Sequence, residues 1–558
     1  MAEIIENTEL YDAVKVLYKA SKGINTEGSS LIDTAFEKYH WGPETLDLGA
    51  EDRTDPEDDS VIRISKIRIE NFKGVKYGEI DLKHGKKSFT PSSKSDILGI
   101  YGQNGSGKSA VVEAIKLMKS LVSGNSFTNL FGVEKSYINF SQYAEWINKD
   151  SDEAHFVFQF DYIENDETIR TIEYSFYLGR LKEQISYVNR SKVYDELTQY
   201  TYENFLFKHS ETAGFVFGET ISMSGQFEGK KIKMQPVIDA SKLDILFTPA
   251  SKMKYIVGDL TDEEKKALNT LKMSQGISGS SFIFSILFST LNNDYAKTMR
   301  RLRIFARREL SIIGNDGLNM FESSTTFADE IFPIYTPGGK YSFCFIDSTL
   351  MYSPIVDDFK KFIESINPVL DRVIPGIKLV VETEDPLPNQ KDVDVIDEIT
   401  NEDGVFSGDV FVDLYVEKNG NKVPYRCESI GTRRLISEIS MFVDAYNDPK
   451  QALIIDEFDS GIFEFLLGEL LQIFEESGKG QFIFTSHNLR PLEVLDKKCI
   501  CFTTTNPENR YFRLKNIGQT NNLRSTYFRE ILLGDQDEEL YNSTKKHKLM
   551  AAMKRVGK

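Results

Sequence analysis

Residues 102–109 read GQNGSGKS, a full match to G-x-x-x-x-G-K-[ST], and no other feature of the chain constrains its fold as strongly. The loop follows an apolar run, ILGIY, that reads as a buried strand, and it opens SAVVEAIKLMKSLV, whose apolar residues recur at helical spacing. A strand feeding a helix through such a loop belongs in an α/β sheet, with the loop at the carboxyl end of the strand. Glycines there let the backbone turn its N–H groups around phosphate oxygens, and the helix N-terminus adds positive potential. Gly102, Asn104, Gly105, Ser106, Gly107, Lys108, Ser109 and Ala110 are the candidate nucleotide-binding residues. Lys108 is expected to reach the β and γ phosphates and Ser109 to ligate Mg²⁺, with ATP or GTP as the nucleotide.

Further along, ALIIDEFDSG runs four apolar residues into Asp456 and Glu457. Two adjacent acids at the end of a buried strand are costly unless chemistry employs them, so Asp456 is assigned to the metal and Glu457 to polarising the attacking water. The next such run, QFIFTSHN, places His487 where a polar residue can touch the γ-phosphate, and CICFTTT follows as a third. These short apolar runs with polar ends read as buried parallel strands. Before the loop, VIRISKIRIENFKG alternates apolar and charged residues, and after it AHFVFQFDYI and TIRTIEYSFYLGRL read as long paired strands of an antiparallel layer.

The expected organisation is an N-terminal appendage and acidic linker over 1–60, with helical patterns near Glu9 to Ala20 and Ser30 to Tyr39. A head lobe over 61–181, a mainly helical insertion over 182–404, a second head lobe over 405–515 and a helical tail over 516–558 follow. In the insertion Lys297, Arg300, Arg301, Arg307 and Arg308 recur at three- and four-residue spacing, so one helix would present a basic stripe. That suits a solvated or partner-facing helix or a nucleic-acid contact. A net charge of -18 works against non-specific attraction to nucleic acid, so any such contact needs a local patch. No apolar run is long enough to span a bilayer and the N-terminus lacks the layout of a secretory signal, so a cytoplasmic protein without a membrane partner is expected. The cysteines Cys344, Cys427, Cys499 and Cys501 read as core thiols, and no structural zinc site is expected.

Between the insertion and the acid strand lies Glu428-Ser-Ile-Gly-Thr-Arg-Arg-Leu435. It resembles the ABC signature in the S-x-G-x-R-x-L style of the SMC, RecF and OLD-like ATPases. The order of features is also that of an ABC head: a strand ending in NFKG (Asn71 to Gly74), the phosphate loop, an insertion, the signature, the acid strand and TSH. The resemblance covers roughly Val61 to Gly179 and Val405 to Phe512. It implies an α/β fold, an ABC-type P-loop NTPase head built from a mixed sheet and an antiparallel layer, which binds ATP and Mg²⁺. It further implies that Ser429 and Gly431 of one protomer contact the γ-phosphate held by the other, in a homodimer that can enter a higher assembly. Lys73, after Asn71-Phe72, would lie near the nucleotide, and Gln142 is the candidate glutamine of the Q-loop, near the metal. Phe463 departs from many OLD-like relatives, which carry histidine there.

A transporter subunit would not carry such an insertion, and sustained heptads for a long coiled coil are lacking. The stretch after TSHN is too short for the Toprim domain of an OLD nuclease, and no two-metal nuclease constellation stands out. The expected function is that of an ATPase sensor that holds a separate effector, a nuclease or toxin, resembling the ATPase subunits of the Septu, retron-associated or PARIS anti-phage systems. The alternative is a RecF-like DNA-repair or tethering ATPase that uses the helix from Lys297 to Arg308.

Overall fold

The computed structural model describes residues 59–82, 96–123, 140–180, 184–190, 205–211, 214–227, 229–240, 284, 294–314, 331–336, 339–344, 349–384, 409–514, 523–533, 540 and 546–556. Two six-stranded sheets organise it. The first is antiparallel throughout, in the order β2 (Val75–Asp81), β1 (Val61–Phe72), β4 (Glu153–Glu164), β5 (Glu167–Arg180), β8 (Gly214–Phe227) and β9 (Lys230–Ala240). A separate hairpin joins β6 (Gln184–Arg190) to β7 (Phe205–Glu211). The second sheet runs β10 (Leu310–Ile313), β17 (Ala452–Ile455), β18 (Gln481–Ser486), β3 (Asp96–Tyr101) and β19 (Ile500–Thr503), all parallel, with β20 (Tyr511–Phe512) antiparallel at one edge.

Helix α1 (Lys108–Val122) fills the space between the sheets. It is apolar on nearly every side, with Val111, Val112, Ile115, Met118, Leu121 and Val122 all buried, as a helix covered all round must be. The first sheet meets it with period-two alternation: Phe156, Phe158 and Phe160 of β4 point to one face, and the Phe156 and Phe176 rings stack across strands at 5.0 Å. The second sheet is buried on both faces, so its strands read as unbroken apolar runs. Leu98 and Ile100 of β3 face α1, while Ile97 and Tyr101 face the opposite core. That core is closed by α4 (Ser353–Val373), α5 (Ile430–Asn447) and α6 (Glu464–Ser477). Short helix α2 (Phe140–Glu145) precedes β4, and α3 (Asp294–Ile304) continues as a π-helical turn over Phe305–Glu309. The remaining described elements include hairpin β11 (Ile331–Thr336)/β12 (Gly339–Cys344), and a sheet of β13 (Thr349–Tyr352), β15 (Asp409–Lys418), β14 (Ile377–Glu384) and β16 (Asn421–Pro424). After α7 (Pro491–Val494), helices α8 (Leu523–Leu533) and α9 (Lys546–Val556) close the chain order.

The segment 182–404 departs from the expected mainly helical insertion, since its described residues are chiefly strand. β8 and β9 extend the antiparallel sheet and β10 edges the parallel one, so this segment completes the head. β9 hid in the sequence because its KKIKMQ stretch lies at the sheet edge, where both faces meet solvent and period-two alternation fades. The basic stripe is also corrected. Arg301 is 2% exposed, pairs with Glu309 at 2.9 Å and donates to Ser60, while Arg303 and Arg307 donate to the Ser123 carbonyl at the end of α1. The π turn breaks the 3.6-residue spacing after Ile304, and the arginines complement the negative end of α1 instead. Lys297 stays exposed. Cys499 and Cys501 are buried as expected, but Cys427 is exposed in the turn before the signature. The helical patterns before residue 59 lie outside the described residues.

The sheets are tied by Gln481, whose side chain accepts from the Ile64 N–H (3.0 Å) and donates to the Ile64 carbonyl (2.9 Å) and to Asp96 (2.6 Å). Gln481→Leu strands these buried groups, at about 1–3 kcal/mol for each left unpaired. Chemical denaturation should show that loss, and a change under about 1 kcal/mol would contradict the assignment.

Candidate nucleotide site

The phosphate loop sits at the carboxyl end of β3, at the centre of the parallel sheet. A Cβ on Gly102 would lie 1.7 Å from the Thr503 hydroxyl, so the loop can leave the strand there only without a side chain. Gly105 and Gly107 have φ of 76° and 93°, the left-handed region that glycine enters without strain. Hairpin β19–β20 braces the loop: the Ser106 and Thr503 hydroxyls pair, and the Tyr511 hydroxyl donates to the Gly107 carbonyl at 2.7 Å. Arg510 donates to the Gly74 carbonyl of the β1–β2 turn. Asn104 and Gly105 stand exposed at the tip, Ser109 is half-buried on the first turn of α1, and Ala110 packs into the core. Lys108 folds over the loop, donating to the carbonyls of Gly102 (2.7 Å) and Gln103 (3.1 Å). Desolvation pulls its pKa down to about 8, against the carboxylates of Asp456, Glu457 and Asp459, which pull it up.

Those carboxylates come from the turn after β17, beside β18 in the sheet. Asp456 is buried, and its carboxylate accepts from the Thr485 hydroxyl at 2.5 Å. The same hydroxyl accepts the Glu457 N–H at 2.8 Å. Glu457 has φ of 53°, a conformation that costs a non-glycine residue about 1–3 kcal/mol and therefore marks an imposed geometry. His487 Nε2 lies 3.8 Å from Glu457 Oε1, and the Asp459 carboxylate accepts the backbone N–H groups of His487 and Asn488. The structure thus gathers Lys108, Asp456, Glu457 and His487 at the ends of neighbouring parallel strands. Among the described residues no three His, Cys, Asp or Glu side chains form a metal cage. The Asp456 carboxylate and the Ser109 hydroxyl are hard oxygen donors, few in number. That suits Mg²⁺, which is ordinarily held by one or two protein oxygens with substrate phosphates and water.

Ser429 caps α5, its hydroxyl accepting the Thr432 N–H at 3.1 Å. Ser429, Ile430 and Gly431 are all exposed. Among the described residues a Cβ on Gly431 would meet nothing within 4 Å, so their packing does not demand glycine there. Lys73 lies in a left-handed turn with its ammonium 3.5 Å above the Trp146 ring. Its turn adjoins the loop, because Val75 comes within 3.0 Å of a Cβ built on Gly107. Gln142 belongs to α2, which is fastened to α1 by the Tyr143 hydroxyl donating to Glu113 at 2.9 Å; the Gln142 side chain lies outside the described residues. Phe463 is 71% exposed beside Phe465. Reading by motif missed Thr485, Asp459, Thr503 and Tyr511. A hydroxyl inside a buried apolar strand, as in QFIFTS, was the available signal for Thr485.

The phosphate loop at the carboxyl end of a central parallel strand, with the acid strand beside it, defines a P-loop nucleotide-binding site. A family model described as "AAA domain" matches residues 66–298, and one described as "AAA domain, putative AbiEii toxin, Type IV TA system" matches residues 352–493. The curated proteins contain no significant match. Among solved structures, the Smc head domain with a coiled coil and joint from Pyrococcus yayanosii is similar at 10% identity and a TM-score of 0.37, covering 84% of this chain and 99% of that one. RecF with ATP, a recombination mediator protein of the RecFOR pathway, is 13% identical with a TM-score of 0.32, covering 82% and 100%. The SMC head domain from Thermotoga maritima is 14% identical with a TM-score of 0.30, covering 81% and 100%.

Two outcomes follow from the loop. Lys108 is charged below its lowered pKa of about 8 and loses its proton as pH rises through that value. A bound polyphosphate favours the charged form, so above about pH 8 ATP binding takes up a proton and weakens by up to about tenfold per pH unit. Calorimetric titrations across this range check it, and Lys108→Ala should erase the dependence along with most of the affinity. Gly102→Ala should abolish nucleotide binding in the same assay, because its Cβ falls on the Thr503 hydroxyl.

Proposed function

We propose that the chain hydrolyses ATP with Mg²⁺ at this site, as a dimer in which each protomer's Ser429 and Gly431 complete the other's nucleotide site. The observation that carries the chemistry is the convergence of Lys108, Asp456, Glu457 and His487, with Glu457 held in a strained backbone conformation by the Thr485 hydroxyl. Asp456 and Ser109 would hold Mg²⁺, which neutralises charge on the phosphates. Lys108 and the loop N–H groups orient them, Glu457 polarises a water, and His487 lies beside Glu457 where the terminal phosphate would sit. The dimer is supported by Gly431, exposed and with no packing need for glycine among the described residues, as a helix start kept open to something outside the chain would be.

The biological reading is a sensor: nucleotide-driven closure controls a separate effector, a nuclease or toxin, in bacterial anti-phage defence. Its supports are the acidic net charge of -18, the burial of Arg301 away from any basic stripe, and the toxin–antitoxin description of the model matching residues 352–493. A RecF-like DNA-tethering role is the competing reading, and of the expected stripe α3 still offers it the exposed Lys297 and the half-buried Arg300.

Glu457→Gln should lower ATP turnover about 10²–10⁴-fold while ATP accumulates the dimer in light scattering, and Lys108→Ala should remain monomeric. Turnover at the wild-type rate in Glu457→Gln would refute the assignment. Pull-down of the tagged Glu457→Gln protein from cells carrying its native operon separates the biological readings. A stoichiometric effector favours the sensor, whereas salt-released DNA alone favours tethering.

A further inference from the structure

The Glu457 backbone is left-handed, and three groups hold it there. Its N–H donates to Thr485, and its carbonyl accepts from the Ser460 N–H (2.8 Å) and from Arg434 Nη2 (3.3 Å). The same Arg434 nitrogen lies 2.7 Å from the Asp456 carbonyl, so one guanidinium spans the carbonyls of both acids. Arg434 is itself fixed, because its Nε donates at 2.8 Å to Glu438, whose carboxylate is fully buried one turn further along α5. The geometry therefore makes α5 the body against which the Asp456–Glu457 turn is set. The N-terminus of α5 is the exposed Ser429–Gly431 segment. The turn after Glu457 also reaches that segment, since a Cβ on Gly461 would lie 3.9 Å from the Gly431 Cα.

We infer that Arg434 is a positioning residue that ties the conformation of Glu457 to the position of α5, so that whatever engages Ser429 and Gly431 also aligns the catalytic carboxylate of the same protomer. This rests on the site reading above. In the dimer each protomer would then sense, through its own signature helix, that the partner's nucleotide is in place before its own Glu457 is aligned. The group is a fork, which lets it bridge a buried carboxylate and two carbonyls at once; lysine in its place offers a single point of charge.

Two variants test this. Arg434→Lys keeps a charge against Glu438, and the double change Arg434→Gln with Glu438→Gln removes both charges together, so that neither variant buries an unpaired ion. Both should leave the KM for ATP within about twofold and lower kcat about 10²-fold, the loss expected from misplacing a reacting group by about 1 Å. Introduced into Glu457→Gln, the same changes should add nothing to the residual rate, because Arg434 acts through that side chain; a merely structural role would add its loss. Wild-type kcat in both variants, or full additivity with Glu457→Gln, overturns the inference and leaves the site assignment standing. Wild-type turnover in Glu457→Gln alone overturns both.

Discussion

The side-chain amide of Gln481 is a buried polar contact that sets the start of the parallel sheet in register with the antiparallel one. It mimics a strand partner for Ile64, accepting from its N–H and donating to its carbonyl, and the same amide nitrogen holds Asp96. Gln481 and Asp96 begin adjacent parallel strands and are directly paired, so the contact sets where β3 and β18 start and hence where they end. Those ends carry the phosphate loop and the Thr485–His487 segment. Burial pushes the Asp96 carboxyl up to about 6, opposed by Arg63 and by Gln481. A polar cluster this deep specifies a single alignment where an apolar seam would tolerate slippage.

From that alignment the site is built largely with hydroxyl groups. Thr485 donates to one acid and accepts from the backbone of the next, Thr503 props Ser106, and Tyr511 holds the Gly107 carbonyl. Hydroxyls can donate and accept at once without bringing charge into a buried place. The charged groups are thereby left to the substrate, and Lys108 waits on loop carbonyls that a phosphate would replace.

Much of this was legible from residue order. The loop, the acid strand and TSH each combine an apolar run with polar residues at its end, and such runs can only be buried parallel strands when both faces are covered. The alternation in VIRISKIRIENF and AHFVFQFDYI likewise gave the antiparallel layer, because period-two patterning survives wherever one face is packed. What failed was the middle of the chain. β9 lies at a sheet edge with its lysines in solvent, so little pattern remained to read. The arginines after Asp294 looked like a helical stripe because spacing alone cannot reveal a π turn, nor that Arg301 has a buried acid to meet. Arg434 escaped notice for a related reason: its pairing with Glu438 looks like any i,i+4 ion pair, and its contacts to the acid turn are with backbone carbonyls, which leave no mark in a sequence.

The strand order carries a consequence for how the protein is made. β3 pairs with β18 and β19 on its two sides, and Asp96 meets Gln481 across a separation of 385 residues. At usual elongation rates of about 5–20 residues per second, the ribosome needs roughly 20–80 s to supply the first neighbour after β3 emerges. Throughout that interval this fully buried strand and its glycine loop have no parallel partner to join. Topologies dominated by such distant pairings close slowly, and the nascent chain depends on the antiparallel layer, whose first strands are near neighbours in sequence, to fold ahead of it and give α1 a surface on which to wait.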